Sequence, residues 1–417
     1  MNGVSSAAGA RGGTTPLAQG GTAPLAGTAL AAERRRLAGE AFFGAEAERV
    51  ARLCHRMAER FARGGRLLAF GEGPQARSDA RHVAVEFVHP VIVGKRALPA
   101  LALSAEGGPL PGQLALLAEP HDIALAFGAG QETVAALAIA RERGCLTLAA
   151  AHVGAECELV PQERHPFILQ ELVETLYHVL WELVHVFLEH PGLLEGRSER
   201  TVHDSGAASF LYPFLGQQED DLEAVIADVR ASVLLKSAEV AALRAQTLCE
   251  GEPALLAAAR GLRARFRSGG RLLALGNGGS ATDAMDAVAD MRFPPFGWPA
   301  RAAIDLTEDT GIITAIANDV GVESIFSRQV IAHARAQDTL LVFSTSGGSR
   351  NVLAALAEAR RRGLLTLALV GYDGGAIAGE ALAEEVIVTR SEHIPRVQEA
   401  QASAWHVLRE LIESGGP

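Results

Sequence analysis

At 417 residues the chain exceeds one ordinary α/β domain and is long enough for two with cores of their own. Nearly half of it is apolar (48%) and few residues are aromatic (5%), a balance rich in Ala, Leu, Gly and Val that suits helices packed closely on a parallel sheet. A formal charge of −11 argues against a nucleic-acid backbone as the main partner, because phosphate contacts need a positive field, and no uncharged apolar run of about 18 residues offers a membrane span.

In chain order, residues 1–30 are rich in Gly, Ala and Thr, lack the apolar core of a signal peptide and are expected to be a disordered tail. Helical periodicity covers roughly 31–63, followed by strand, glycine loop and helix in RLLAFGEGPQARSDARHVAVEF (66–87), a second strand–helix unit at 121–152 and a long helix near 167–189. Gly, Ser and mixed charge mark 195–220 as a connection, whose FLYPFLG segment is apolar enough to dock on a domain surface. The order then repeats. A helical region spans 221–267, RLLALGNGGSATDAMDAVADM (271–291) answers 66–87, residues 337–370 answer 121–152, and a closing helix runs near 395–414. A duplication explains both pairs. The expected fold is α/β: two tandem doubly wound, mainly parallel sheets flanked by helices, over 31–194 and 221–417. Cys54, Cys145, Cys157 and Cys249 form no CxxC pair and suit reduced thiols in a cytoplasmic protein.

The strand ending at Phe343 delivers Ser344, Thr345, Ser346, Gly347, Gly348 and Ser349 to the start of a helix, at the sheet edge where ligands of such folds bind. Small residues open the backbone, helix-start amides carry partial positive charge, and hydroxyls add donors without bulk, so a phosphate monoester fits. An ordinary N-cap with a flexible turn uses the same residue types. A second loop of the same kind, Gly276, Asn277, Gly278, Gly279 and Ser280, favours the cradle. Neither a Walker lysine nor the dinucleotide glycine spacing is present, which points to a sugar phosphate rather than a nucleotide.

GNGGSATDAMDAVADM, TAIANDVG (314–321), FSTSGGS and the closing RVQEAQASAWH together resemble the sugar isomerase (SIS) family of phosphosugar-binding domains, and within it the phosphoheptose isomerases. The likeness covers most of 221–417 and, more weakly, 31–190. It implies sugar-phosphate contacts from Asn277, Gly278, Gly279, Ser280, Asn318, Asp319, Ser344, Thr345, Ser346, Ser349 and Gln398. It also implies a zinc site, with a His and a Glu four residues apart on the helix after the first loop and a Gln and a His eight apart on the last helix. Both spacings keep a pair on one helix side.

The first half supplies His82, Glu86, Gln170 and His178 at both spacings, whereas the second supplies Asp286, Asp290, Gln398 and His406, a set better suited to a harder ion or none. The loops show the opposite pattern. The first half has Glu72 and Pro74 in its glycine loop, and FGAGQE has lost every hydroxyl of FSTSGGS. Either the halves pack as an internal pseudo-dimer with composite sites, or one half is a relic.

The implied reaction interconverts a ketose phosphate and an aldose phosphate, sedoheptulose 7-phosphate being the expected ketose, through a cis-enediol. Its acid/base pair is Asp290 with His406, or Glu86 with His178 if the site is shared. Pro395 stands where the bacterial enzymes carry an acidic residue, and the alternative is a non-catalytic phosphosugar-binding regulator or assembly protein. Helix faces left over after internal pairing suit a further homodimer.

Overall fold

The computed structural model describes residues 27–91, 95–194 and 221–414. Most of the tail, the connection 195–220 and its FLYPFLG segment therefore lie outside the described residues. The first half runs α1 (Gly27–Ala62), β1 (Leu67–Gly71), α2 (Pro74–Val88), β2 (Ala100–Leu103), α3 (Leu110–Leu117), β3 (Ile123–Phe127), α4 (Gln131–Glu142), β4 (Leu146–Ala149), β5 (Cys157–Glu158) and α5 (Pro166–Glu189). The second runs α6 (Leu222–Glu250), α7 (Glu252–Arg267), β6 (Leu272–Leu275), α8 (Gly279–Arg292), β7 (Ala303–Asp305), α9 (Thr310–Asp319) and α10 (Ile325–His333). It continues with β8 (Thr339–Ser344), α11 (Arg350–Arg361), β9 (Leu365–Val370), α12 (Gly375–Gly379), β10 (Glu385–Val388) and α13 (Ile394–Ser414).

Two parallel five-stranded sheets result, ordered β2-β1-β3-β4-β5 and β7-β6-β8-β9-β10, the same order in both. The central strands are apolar on both faces because helices cover both. In the second sheet Leu272, Ala274, Leu341, Phe343 and Leu367 join one core, and Leu273, Leu275, Leu340, Val342 and Ala368 join the other, the period-two alternation of a pleated strand. Each sheet also carries the same clamp. The Asp122 carboxylate accepts from the Arg66 backbone N–H at 2.8 Å and pairs with its guanidinium at 2.7 Å, and Asp338 repeats both distances with Arg271.

The cores do not follow the chain halves. Ala31 and Ala32 of α1 pack into a second-half core, while Val225, Ile226, Val229 and Val233 of α6 pack into a first-half core. The two helices lie against each other and exchange ends. The single helical region expected over 221–267 breaks at Gly251, where Pro253 in the first turn of α7 has no N–H to continue α6. Helix α1 begins at Gly27, slightly earlier than the composition of the tail suggests. Among the described residues no helix is long and apolar enough to cross a membrane.

These packings bring α2 against α8 and α5 against α13, so the helices that follow the first glycine loop and close each half meet between the sheets. Leu341, fully buried in the central strand of the second sheet, is a sensitive probe of this core. Leu341→Ala is expected to lower stability by about 2–5 kcal/mol, read as a lower urea midpoint at unchanged m-value.

Candidate active site

The second half keeps its anion cradle open. Helix α8 starts without a side-chain cap or an acidic residue in its first turn, and α11 does the same after Ser349. The dipoles of both helix starts, and their first-turn amides apart from those of Ala281 and Val352, which bond Gly278, Ser349 and Asn351, are thereby left for an anionic ligand. The loop between β8 and α11 holds its own shape: Ser344 Oγ accepts from the Gly347 N–H at 3.1 Å, and Ser346 Oγ accepts from the Gly348 N–H at 3.3 Å. Gly347 has φ of 62°, and a Cβ there would stand 2.2 Å from the Gly374 carbonyl oxygen, so no other residue fits. The two loops are tied by a pair of amides, Asn277 donating to Asn351 at 3.0 Å and Asn351 donating back at 2.9 Å.

In the first half the equivalent position is filled from within. The Thr133 N–H, in the first turn of α4, donates to Glu72 Oε2 at 3.2 Å, and the Glu72 N–H donates to Thr133 Oγ1 at 3.0 Å. A carboxylate of the protein thus sits where a phosphate would meet the helix start, and repels a second anion.

The donor groups converge across the halves. His82 of α2 is fully buried, with Nε2 3.3 Å from His178 Nε2 of α5 and 3.2 Å from the side-chain amide of Gln398 of α13. Glu86 Oε1 lies 3.8 Å from the same His82 nitrogen. His178 Nδ1–H donates to Glu399 Oε1 of the other half at 2.9 Å, which leaves its Nε2 facing His82. Burial, with His178 adding to it, holds the His82 pKa well below the ordinary imidazole value, and burial raises Glu86 to about 7. The second-half loop closes on this group: a Cβ on Gly279 would lie 2.0 Å from Gln398 Nε2 and 3.0 Å from His82 Nε2.

A divalent ion fits these residues. His82, Glu86 and His178 present ligand atoms within 4.8 Å of one another. Two nitrogens at about 2.0–2.1 Å from a tetrahedral ion stand about 3.4 Å apart, close to the observed imidazole separation. Among the described residues Gln398 Oε1, Glu86 Oε2 and His82 Nδ1 are buried without hydrogen-bond partners, and a half-turn of the Gln398 amide aims its oxygen at the group. A second cluster, His82, Glu174 and Asp283, adjoins the first.

The mirror arrangement holds the other half's residues apart from this chemistry. His406 Nδ1 bonds Glu171 Oε1 at 2.8 Å, the counterpart of His178 with Glu399. Its Nε2 lies 3.5 Å from Asp290 Oδ2, which also accepts from Trp405 Nε1 at 2.9 Å. Desolvation opposes the His406 charge, but hydrogen bonds to Asp290 and Glu171 outweigh it and raise the pKa to about 9. Among the described residues Asp286 Oδ1 has no hydrogen-bond partner. Gln170 does not join His82; it lines a cavity with Asp290 and Glu72.

Of the residues singled out in the sequence, His82, Glu86, His178, Gln398 and Gly279 come together, with Gln398 in the place expected of Gln170. Ser280 and Ser344 are buried in the loops, whereas Asn318 and Asp319 sit exposed at the end of α9 and bond each other at 2.7 Å without a hydrogen bond to either loop. Sequence reasoning missed Glu399, Glu171 and Asn351. A signal for the glutamates existed, since both closing helices carry Gln-Glu followed seven residues after the Glu by His. Asn351 carried none, because an Asn in a first helical turn is ordinary.

The SIS-domain family model matches residues 237–371. A phosphoheptose isomerase of Geobacter sp. strain M21 is 45% identical over 171 residues, covering 40% of this chain and 88% of that protein. The chain belongs to the phosphoheptose isomerase family of SIS-domain proteins. Another family member, from Chlorobaculum parvum, is 47% identical over 153 residues, 36% of this chain and 72% of its own length. The fold match extends over both sheets. The C-terminal domain of glucosamine-fructose-6-phosphate aminotransferase from Francisella tularensis superposes with a TM-score of 0.55 at 7% identity, covering 93% of this chain and 96% of that one. A tagatose-6-phosphate ketose/aldose isomerase from Escherichia coli gives 0.51 at 14% identity, with 94% of each chain covered.

The raised His406 pKa predicts a pH effect on stability. A histidine whose folded pKa lies above its ordinary 6.5 contributes fully below that value, and the contribution fades as pH climbs through about 9. The stability advantage of the wild type over His406→Gln should therefore shrink across that window in chemical denaturation, and a constant difference would contradict the assignment.

Proposed function

We propose that the protein is an aldose–ketose isomerase acting on a phosphosugar, with sedoheptulose 7-phosphate and a heptose 7-phosphate as the favoured pair. In this reading one composite site per chain does the work. The first half contributes His82, Glu86 and His178, and the second contributes Gln398 and the two phosphate loops. The observation that carries it is the approach of the Gly279 loop to His82 and Gln398, which sets the open cradle beside the donor group of the opposite half. The family relatives support the reaction class.

The loop amides and the hydroxyls of Ser280, Ser344, Thr345, Ser346 and Ser349 grip the phosphate and fix the far end of the sugar, so proton transfer becomes effectively intramolecular. Glu86, with a pKa near neutrality, removes the proton from C1 of the ketose while O2 gains one, giving the cis-enediol. Return of the proton to C2, with loss of the O1 proton, completes the aldose. His178 is the exchanger at the oxygens while its Nε2 is free of an ion, its Nδ1 being tied to Glu399. His82, Glu86, His178 and Gln398 would hold a divalent ion, zinc being the best match to two imidazoles, and such an ion supplies electrophilic polarisation of the carbonyl. The units 31–194 and 221–417, joined by 195–220, act in this scheme as an internal pseudo-dimer, and the degenerate set Asp286, Asp290, Gln170 and His406 performs no turnover.

Exchange of the C1 proton of sedoheptulose 7-phosphate in heavy water, followed by NMR, tests this. Glu86→Gln should slow exchange by about 10²- to 10⁴-fold, and His178→Gln should do likewise, whereas Asp290→Asn should stay within a few-fold of wild type. The reverse pattern would move the chemistry to the second-half carboxylate, and no exchange by the wild type would leave a phosphosugar-binding protein.

A further inference from the structure

The composite site has a pseudo-symmetric counterpart, a cavity of about 360 Å³ between the halves that the isomerase reading leaves without a task. It is built from the same parts: the loop after β1 with Glu72, the start of α2 with Gln75, the end of β3 at Gly128, the start of α5 with Gln170, and Asp290 from α8 of the other half. A phosphosugar does not suit it, because Glu72 occupies the start of α4 where the phosphate would bind.

We propose that this cavity is a second binding site, and that it takes a compact polar organic cation, a primary amine on a body the size of a hexose. Asp79 makes the case. It lines the cavity at 7% exposure, and neither a hydrogen bond nor an ion pair engages its carboxylate among the described residues. Asp290 beside it is already satisfied by Trp405 and His406, and Glu72 accepts from the Thr133 N–H, so the lining carboxylate left without any partner among the described residues is that of Asp79. Burial, reinforced by Asp290, raises the Asp79 pKa to about 8, the response of a carboxylate that lacks a counter-ion. An ammonium group provides that counter-ion, and a buried charge with a hydrogen-bonded partner is the arrangement that makes burial tolerable. The half-buried amides of Gln75 and Gln170 suit hydroxyls of the ligand. Phe127, Phe167 and Phe293 supply aromatic walls of the kind that also favour a cation. The site is independent of the isomerase chemistry, because none of the groups assigned to proton transfer faces it.

Glucosamine and glucose differ only in the ammonium group and are the probes of choice, measured by calorimetry on the full chain. Glucosamine should bind one per chain, glucose should bind at least about tenfold more weakly, and saturating sedoheptulose 7-phosphate should not displace the amine. Asp79→Asn should lose about tenfold or more in glucosamine affinity while C1 proton exchange stays unchanged. Failure of glucosamine to bind at millimolar concentration, equal binding of glucose, or displacement by the heptose phosphate would each overturn the proposal using the wild type alone. Unchanged affinity in a folded Asp79→Asn variant would overturn it as well. Because proton exchange is measured without amine, the fate of the isomerase reading is decided separately.

Discussion

The structure depends on two buried imidazole–carboxylate bonds that cross between the halves, His178 with Glu399 and His406 with Glu171. Each joins the closing helix of one half to that of the other, and each carboxylate is held ionised by further cations. Arg35 and Arg244 approach Glu171, and Arg396 bonds both Glu399 and Glu182, the latter also paired with Lys236. For Glu171 and Glu399 desolvation pushes the pKa up, but the neighbouring cations prevail and lower both, Glu171 well below the usual carboxylate range. Buried pairs of this kind add little net stability, yet separating them would leave several charges uncompensated in a dry interior. They therefore fix how the halves meet more than how strongly they hold.

That fixed meeting explains why damage in the two halves is complementary. The first half lost its cradle to Glu72 and kept its imidazole–carboxylate set, while the second kept the cradle and lost the set to Asp286 and Asp290. Read one half at a time, both are defective. Across the interface, the retained parts fall on the same side, with Gly279 against His82 and Gln398, and the altered parts fall on the other, with Gln170, Glu72 and Asp290 around one cavity. The pseudo-twofold relation lets one position specialise without disturbing its counterpart.

Much of this was legible in the chain. The parallel sheets and the strand–loop–helix order follow from local pattern, because strand alternation, helix spacing and loop chemistry are written in neighbouring residues. What was not legible was pairing between the halves. Gln170 and Gln398 have the same spacing to a histidine, so sequence assigned each to its own half, and only the crossing of α5 and α13 moves Gln398 beside His82. The exchange of α1 and α6 between cores was hidden for the same reason: apolar faces declare that they will be buried, not against which partner. Asn318 and Asp319 show the converse, residues legible by resemblance whose exposed position gives them no hydrogen bond to the loops.

The exchange of α1 and α6 has a consequence for assembly. Each half completes the other's interior, so neither retains a full core if the two part company. In an isomerase whose catalytic centre lies between separate subunits, dilution dissolves the centre by mass action. Here the partners are covalently one polypeptide, their encounter is intramolecular, and the local concentration of one half around the other no longer depends on how much protein is present. With the composite site proposed above, a scarce enzyme built this way keeps its centre intact.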